Sequence, residues 1–186
     1  MSHFLTIVIG DNVDNQLACY DENIEVEEYV TKPVSNEDKE RFISYYNKNT
    51  DTPCSIENFD EAYKKYGSMW NRNHWKKIND TWMIVSNYNK LSKWDWYVIG
   101  GRWSCYVIKN KKGEFCNQEY IQNITNINEI KPFAIVINGK WYEKGEMGWW
   151  GSYSPTTSDE DWEKEVYEKL SNLPENTLIT VVDCHI

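Results

Sequence analysis

The sequence predicts an α+β fold, a mainly antiparallel sheet with helices packed on it, and three observations carry that expectation. β-branched apolar runs stand at both ends of the chain, His3–Ile9 and 178–182. Asn138-Gly139 separates two strand-like runs, and Asn-Gly tolerates the positive φ angles of a type I′ hairpin turn. Segments of helical spacing behind Ser or Asp lie between, with no internal repeat or linker-like stretch. A ferredoxin-like sheet with adjacent first and last strands is one version of this architecture.

Taken in order, His3–Ile9 is a buried strand ended by Gly10-Asp11-Asn12, and Val13, Leu17 and Tyr20 then recur at helical spacing. Ile24, Val26 and Glu28 alternate as in a short strand. Ser35 caps a helix carrying Phe42, Ile43 and Tyr46, with Glu37 and Asp38 at its positive end. A second helix follows Ser55, striped by Ile56, Phe59, Tyr63 and Tyr66, with Gly67 as its stop. Residues 69–97 hold five tryptophans amid Asn, Lys and Asp and read as a surface-to-pocket segment. Two strand-like runs, 94–99 and 102–109, meet across Gly100-Gly101 as a hairpin or a sharply bent strand. After the 133–143 hairpin, Ser158 caps a helix with a buried stripe of Trp162, Val166, Leu170 and Leu173. Pro174 stops it before the final strand.

The 186 residues suit one domain, 1–186, with a helical and aromatic insertion at about 31–89. Hydrophobic residues are 40% and Gly and Pro few, which excludes disordered and collagen-like classes. The net charge of −9, with arginine only at 41, 72 and 102, disfavours duplex nucleic acid, because phosphate neutralisation needs a basic face. No apolar run approaches the ~20 residues of a membrane span, so no membrane partner is expected. The start, Met1-Ser2-His3-Phe4, lacks the basic and apolar regions of a secretory signal, which makes the cytoplasm the default compartment. The five cysteines, an odd number without a C-x-x-C pair, read as reduced, mostly buried thiols.

His3 and His185 are the candidate catalytic residues. Antiparallel pairing of the terminal strands sets Leu5 opposite Asp183 and Ile7 opposite Val181, so the two imidazoles share one mouth of the sheet. Such a pair can act as general base and general acid in metal-free cleavage of a phosphodiester by a ribose hydroxyl. Two other readings stand beside it: histidines that only cap strand ends, and a metal site of His3, His185 and Asp183 or Cys184. No metal or other cofactor is assigned, and His74 reads as a surface or pocket-rim residue. The segment Lys93-Trp94-Asp95-Trp96-Tyr97 with Gly100-Gly101-Arg102-Trp103 offers indole faces to stack a base and an Arg102 fork for a phosphate. Its structural alternative is a buried Trp ladder with Arg102 ion-paired. Residues 141–151, with Trp149 and Trp150, form an opposite pocket wall or a packed loop, and Glu143 and Glu146 are conceivable acid/base residues there.

Several motifs carry a resemblance: Ser2-His3-Phe4 with Val8-Ile9-Gly10, Gln16-Leu17-Ala18, Tyr20-Asp21-Glu22-Asn23, residues 92–103, residues 139–151 and the closing 178–186. On these the chain resembles a group of small uncharacterised phage-encoded proteins, whereas residues 31–89 match less clearly. The resemblance implies a phage origin and the cytoplasm of an infected bacterium; it implies no reaction.

The leading expectation is a phage accessory protein that binds a small nucleotide, a cyclic or ADP-ribose-derived host-defence signal, in a Trp-rich pocket. Lys93, Trp94, Trp96, Tyr97, Arg102, Trp103, Trp149 and Trp150 line it. In the catalytic version, a phosphodiesterase, His3 and His185 cleave the ligand while Arg102 and Lys93 stabilise the developing charge. The alternatives are a non-catalytic sponge and an acidic protein that inhibits a host defence enzyme. A homodimer is one arrangement that a chain of this size allows.

Overall fold

A computed structural model describes residues 2–51, 53–67, 74–147 and 152–186. The chain forms two compact units, one from residues 1–24 and 89–186 and one from Glu25–Tyr88.

In chain order the elements are β1 (His3–Ile9), α1 (Val13–Leu17), β2 (Tyr29–Pro33), α2 (Asn36–Asn49), α3 (Phe59–Tyr66), β3 (His74–Ile78) and β4 (Thr81–Ser86). The chain continues through β5 (Trp96–Ile99), β6 (Ile108–Lys109), β7 (Phe115–Cys116), β8 (Gln118–Tyr120), β9 (Ala134–Ile137) and β10 (Lys140–Glu143). It closes with β11 (Gly145–Met147), β12 (Tyr153–Pro155), α4 (Asp159–Ser171) and β13 (Leu178–His185).

The larger unit is built on a sheet in the order β10-β9-β1-β13-β5, with β8 also paired to β13. All its ladders are antiparallel except the one between β1 and β9. A ferredoxin-like sheet splits its β-α-β unit with an intervening strand; here β1 and β9 pair directly. The first and last strands are neighbours in the expected register, Leu5 opposite Asp183 and Ile7 opposite Val181.

Both faces of this sheet are covered, which explains why β1, β9 and β13 are nearly continuous apolar runs. Ile7, Ile9, Ile135, Ile179 and Val181 pack with Trp162, Val166 and Leu170 of α4. Phe4, Val8, Val136, Val182 and Cys184 pack on the other side with Val13 and Leu17 of α1 and with Tyr20 and Trp94. The Asn138-Gly139 turn has φ values of 51° and 72°, as a type I′ hairpin requires. The Tyr20 hydroxyl latches that hairpin, donating to Gly139 O at 2.8 Å and accepting from Trp141 N–H at 2.9 Å. Ser158 caps α4 by accepting from Asp161 N–H.

The Glu25–Tyr88 unit has the antiparallel order β2-β4-β3. Ser35 and Asp38 close a capping box on α2, and Phe42, Tyr46, Phe59, Ala62, Trp75 and Trp82 share a core. Three sequence expectations change. Trp75 and Trp82 are core residues rather than pocket surface, because β3 and β4 form a hairpin turned by Asn79 and Asp80 in the left-handed region. Trp70 lies outside the described residues. Residues 24–28 form no strand; pairing with β4 begins at Tyr29, opposite Ser86. α3 starts at Phe59 rather than after Ser55, whose N–H and hydroxyl both donate to Asn58 Oδ1.

Leu170 is fully buried and fills the α4 face, so Leu170→Ala is expected to lower the unfolding free energy by about 2–5 kcal/mol. Leu91→Ala, at a position 57% exposed, should change it by less than about 0.5 kcal/mol. Denaturant titration of the two variants checks the contrast.

Candidate functional site

Side chains alternate along a strand, so residues of one parity share a sheet face. On β1 these are His3, Leu5 and Ile7; on β13, His185, Asp183 and Val181; on β5, Trp96 and Val98. His3 is directly opposite His185, and His185 is opposite Trp96. Three successive strands therefore set His3, His185 and Trp96 in a row. The pairing does not fray beside them, because Ser2 and Ile186 exchange both backbone hydrogen bonds at 3.0 Å.

The three rings touch. His3 and His185 have centroids 4.9 Å apart at 75°, Trp96 stacks on His185 at 4.9 Å and 16°, and Trp96 meets His3 edge-on at 5.2 Å. His185 is 2% exposed and Trp96 43% exposed, so the indole presents an open face while shielding the imidazole beneath it.

Each imidazole has its own carboxylate. His3 Nδ1 lies 2.9 Å from Asp183 Oδ1, and His185 Nδ1 lies 2.5 Å from Asp95 Oδ1. An ionised carboxylate only accepts, so each Nδ1 carries the proton of that bond and each Nε2 is left to take or give another. Asp183 sits mid-strand at 1% exposure, where an unpaired charge would be costly. Its second oxygen accepts from Arg102 N–H at 2.9 Å.

That last bond accounts for the glycine pair. Gly100 and Gly101 have φ of 77° and 50°, and a Cβ on Gly101 would stand 2.3 Å from the Asp183 Cβ. The pair turns no hairpin. Gly100 N–H donates to Val181 O, and a 3-10 turn over Gly101–Trp103 carries the chain across β13. The Arg102 amide is thereby seated on Asp183, and its side chain is exposed and forms no ion pair among the described residues. Asn117 fastens the same loop by accepting from Cys105 N–H at 2.8 Å and donating to Ser104 Oγ at 3.0 Å.

The approach to Asp95 is held by the segment after α1. Glu22 N–H donates to Trp94 O at 2.9 Å, and Asn23 Nδ2 donates to both Asp21 Oδ1 and Asp95 O. Burial, and then the neighbouring carboxylates of Asp95 and Asp21, push the Glu22 carboxyl above its ordinary value, against a lowering pull from His185.

The expected ligand residues divide. Trp96 stands at the histidine pair, and the main chain of Arg102 is fastened to it. Trp94 is 7% exposed, with its indole N–H on Leu17 O, in the α1-side core. Tyr97 packs on that side too and donates its hydroxyl to Asp14; burial, then that bond, raises its phenol well above the ordinary value. Trp103 packs against the α4-side core. Lys93 is bound by Glu143 at 2.6 Å, and Glu143 also accepts from Trp141 Nε1. This pair lines a cavity of about 180 Å³ with Phe4, Phe133, Glu146 and Ile186. Phe4 belongs to the sheet face opposite His3, so that cavity is separate from the imidazoles. Trp149 and Trp150 lie outside the described residues.

The sequence assigns no role to Asp95 or Glu22, and it sets Asp183 opposite Leu5 and among the ligands of the alternative metal site. The available signal was Asp183 itself, a carboxylate two residues from His185 within an apolar run, hence on the same face of a buried strand. Cys184 points to the other face, and burial pushes its thiol up to about 12. Among the described residues no three His, Cys, Asp or Glu side chains are arranged to hold a metal ion. His74 is exposed at the start of β3 in the smaller unit. The described thiols are free, with Cys19 and Cys105 exposed and Cys54 and Cys184 buried. No helix among the described residues is long and apolar enough to cross a membrane.

No family model, curated protein or solved structure matches the chain.

Because the thiolate is the reactive form, Cys184 should resist iodoacetamide at about pH 8 in the folded protein while Cys19 and Cys105 are alkylated. Mass spectrometry of digests before and after unfolding reads the difference. Early labelling of Cys184 would place it off the α1 face.

Proposed function

We propose that the histidine pair is the acid/base centre of a protein that binds a small nucleotide and cleaves its phosphodiester without a metal ion. The observation that carries this is the contact between two imidazoles whose Nδ1 atoms are each held by a separate carboxylate. Acid/base chemistry of this kind needs one proton acceptor and one proton donor close together, and this arrangement frees both Nε2 atoms for it. Trp96 supplies an exposed indole face on which a base can stack.

In the reaction, one Nε2 removes the proton of a ribose 2′-hydroxyl, whose oxygen attacks the adjacent phosphorus. The other, protonated, gives its proton to the departing 5′-oxygen. The products are a 2′,3′-cyclic phosphate and a free 5′-hydroxyl, so atoms and charge balance without a redox partner. Arg102, on the loop fastened to Asp183, is the cation of this scheme; Lys93 is engaged by Glu143 on the other face and takes no part. Cyclic and ADP-ribose-derived host-defence signals are the proposed ligands; the cleavage step applies to cyclic ones with 3′,5′-phosphodiesters, because the pyrophosphate of an ADP-ribose derivative joins two 5′-oxygens and offers no phosphorus beside a 2′-hydroxyl, so such a ligand would be bound without this cleavage. Their setting, the cytoplasm of a phage-infected bacterium, rests on the resemblance of the terminal and central motifs to phage-encoded proteins. A second reading, an acidic inhibitor of a host defence enzyme, draws its support from the net charge of −9.

The test is incubation with a panel of cyclic and ADP-ribose-derived nucleotides, followed by chromatography before and after heat denaturation. New product peaks are expected, with His3→Gln lowering turnover by about 10²- to 10⁴-fold and keeping both ligand depletion and the wild-type circular dichroism spectrum. Recovery of intact ligand on heating would make the protein a sponge, and no depletion of any nucleotide would remove the nucleotide reading.

A further inference from the structure

We propose that the glycine turn at 100–101 sets the tautomer of His3, acting through Asp183, which makes Asp183 a positioning residue of the histidine pair. Its part in the reaction rests on the acid/base reading above, whereas the tautomer rests on hydrogen bonds alone.

The Asp183 carboxylate meets two N–H groups at once. His3 Nδ1 lies 2.9 Å from Oδ1, and the main-chain N–H of Arg102 donates to Oδ2 at 2.9 Å. A main-chain N–H can only donate, and this one is held in place by the bonds around it. Gly100 N–H is bonded to Val181 O, Trp103 N–H to Gly100 O, and Cys105 N–H to Asn117 Oδ1. The turn comes this close because residue 101 has no side chain; a Cβ there would collide with the Asp183 carboxylate. At 1% exposure, Asp183 has no water to replace either partner.

His185 is held differently. One oxygen of Asp95 bonds its Nδ1, no other donor among the described residues reaches the Asp95 side chain, and 29% of that side chain is exposed. Asp95 can turn to suit the ring beside it, and Asp183 cannot.

This asymmetry has a chemical consequence. An ionised carboxylate accepts on both oxygens, so His3 carries its proton on Nδ1 and presents a bare Nε2, as a base must. An amide at position 183 would have one acceptor for two donors. Its oxygen would go to the fixed Arg102 N–H, and its NH2 group would donate to His3 Nδ1. The imidazole proton then moves to Nε2, and the base is lost. An amide at position 95 is free to turn its oxygen to His185 and keep that ring as it is.

The experiment is 15N nuclear magnetic resonance of the histidine ring nitrogens in the intact protein without ligand, read once titration of the rings is complete. Cleavage of 3′,3′-cyclic diadenylate is followed in parallel. The expected tautomers are Nδ1–H at His3 in the wild type and Nε2–H at His3 in Asp183→Asn. His185 should stay Nδ1–H in both Asp183→Asn and Asp95→Asn, with its stacking on Trp96 retained. Gly101→Ala should also take His3 out of the Nδ1–H form, whereas Gly113→Ala should not, because residue 113 has a φ of 84° but open space where the methyl group would stand. Turnover should fall about 10⁴-fold in Asp183→Asn, as a base held in the wrong tautomer implies. An Nε2–H His3 in the wild type, an Nδ1–H His3 in Asp183→Asn, or the same response to Gly101→Ala and Gly113→Ala would overturn the inference. The wild type alone can return the first of these results, so a variant that fails to fold does not shelter it. The expected tautomers with no cleavage of any nucleotide in the panel would overturn the acid/base reading and leave the tautomer assignment standing.

Discussion

The antiparallel pairing of β1 with β13 sets almost everything else in the larger unit. A strand's side chains alternate, so a slip of one residue would turn every group on β13 to the other face. Asp183 and His185 would then enter the apolar layer beneath α1, and Cys184 would take their place beside His3. The observed register is held along its length by apolar layers on both sides, Val181 and Ile7 on one and Val182 and Val8 on the other. The histidine pair at the end of the sheet is thus positioned by hydrophobic packing several residues away, and the Ser2 to Ile186 bonds continue the ladder past it.

Asp183 links that packing to the candidate site. A carboxylate at 1% exposure in the middle of a sheet is tolerable only with its oxygens satisfied. One bonds His3, and the other takes the amide of a loop that must contain glycine to come so close. Removal of that carboxylate would therefore loosen His3 and release the Arg102 turn together. His185 is held by a different carboxylate, Asp95, from the opposite side of β13, so the two imidazoles are oriented independently although their rings touch.

The parts legible in the sequence were those governed by local rules. The Asn138-Gly139 turn, the Ser35 and Ser158 caps and the two terminal β-branched runs each have a short-range physical signature, and the opposition of Leu5 and Asp183 follows from strand pairing once the terminal strands are neighbours. Aromatic residues were harder to place. Trp75, Trp82 and Trp94 lie among polar neighbours in sequence, yet each turns inward on one face of its strand or loop, with the indole N–H of Trp82 on Asp60 and of Trp94 on Leu17. Whether such a ring faces a core or a pocket depends on what packs over it, which the local pattern does not encode. The glycine pair misled for a similar reason, since its positive φ angles serve a long-range contact with Asp183 instead of a hairpin.

The most direct test of the account is the proximity of the two imidazoles in solution. In a nuclear magnetic resonance spectrum with assigned histidine ring protons, the account predicts a nuclear Overhauser effect between the His3 and His185 rings, and others from both rings to the Trp96 indole. Ring protons of His3 and His185 that each show contacts to separate surroundings and none to one another would contradict it.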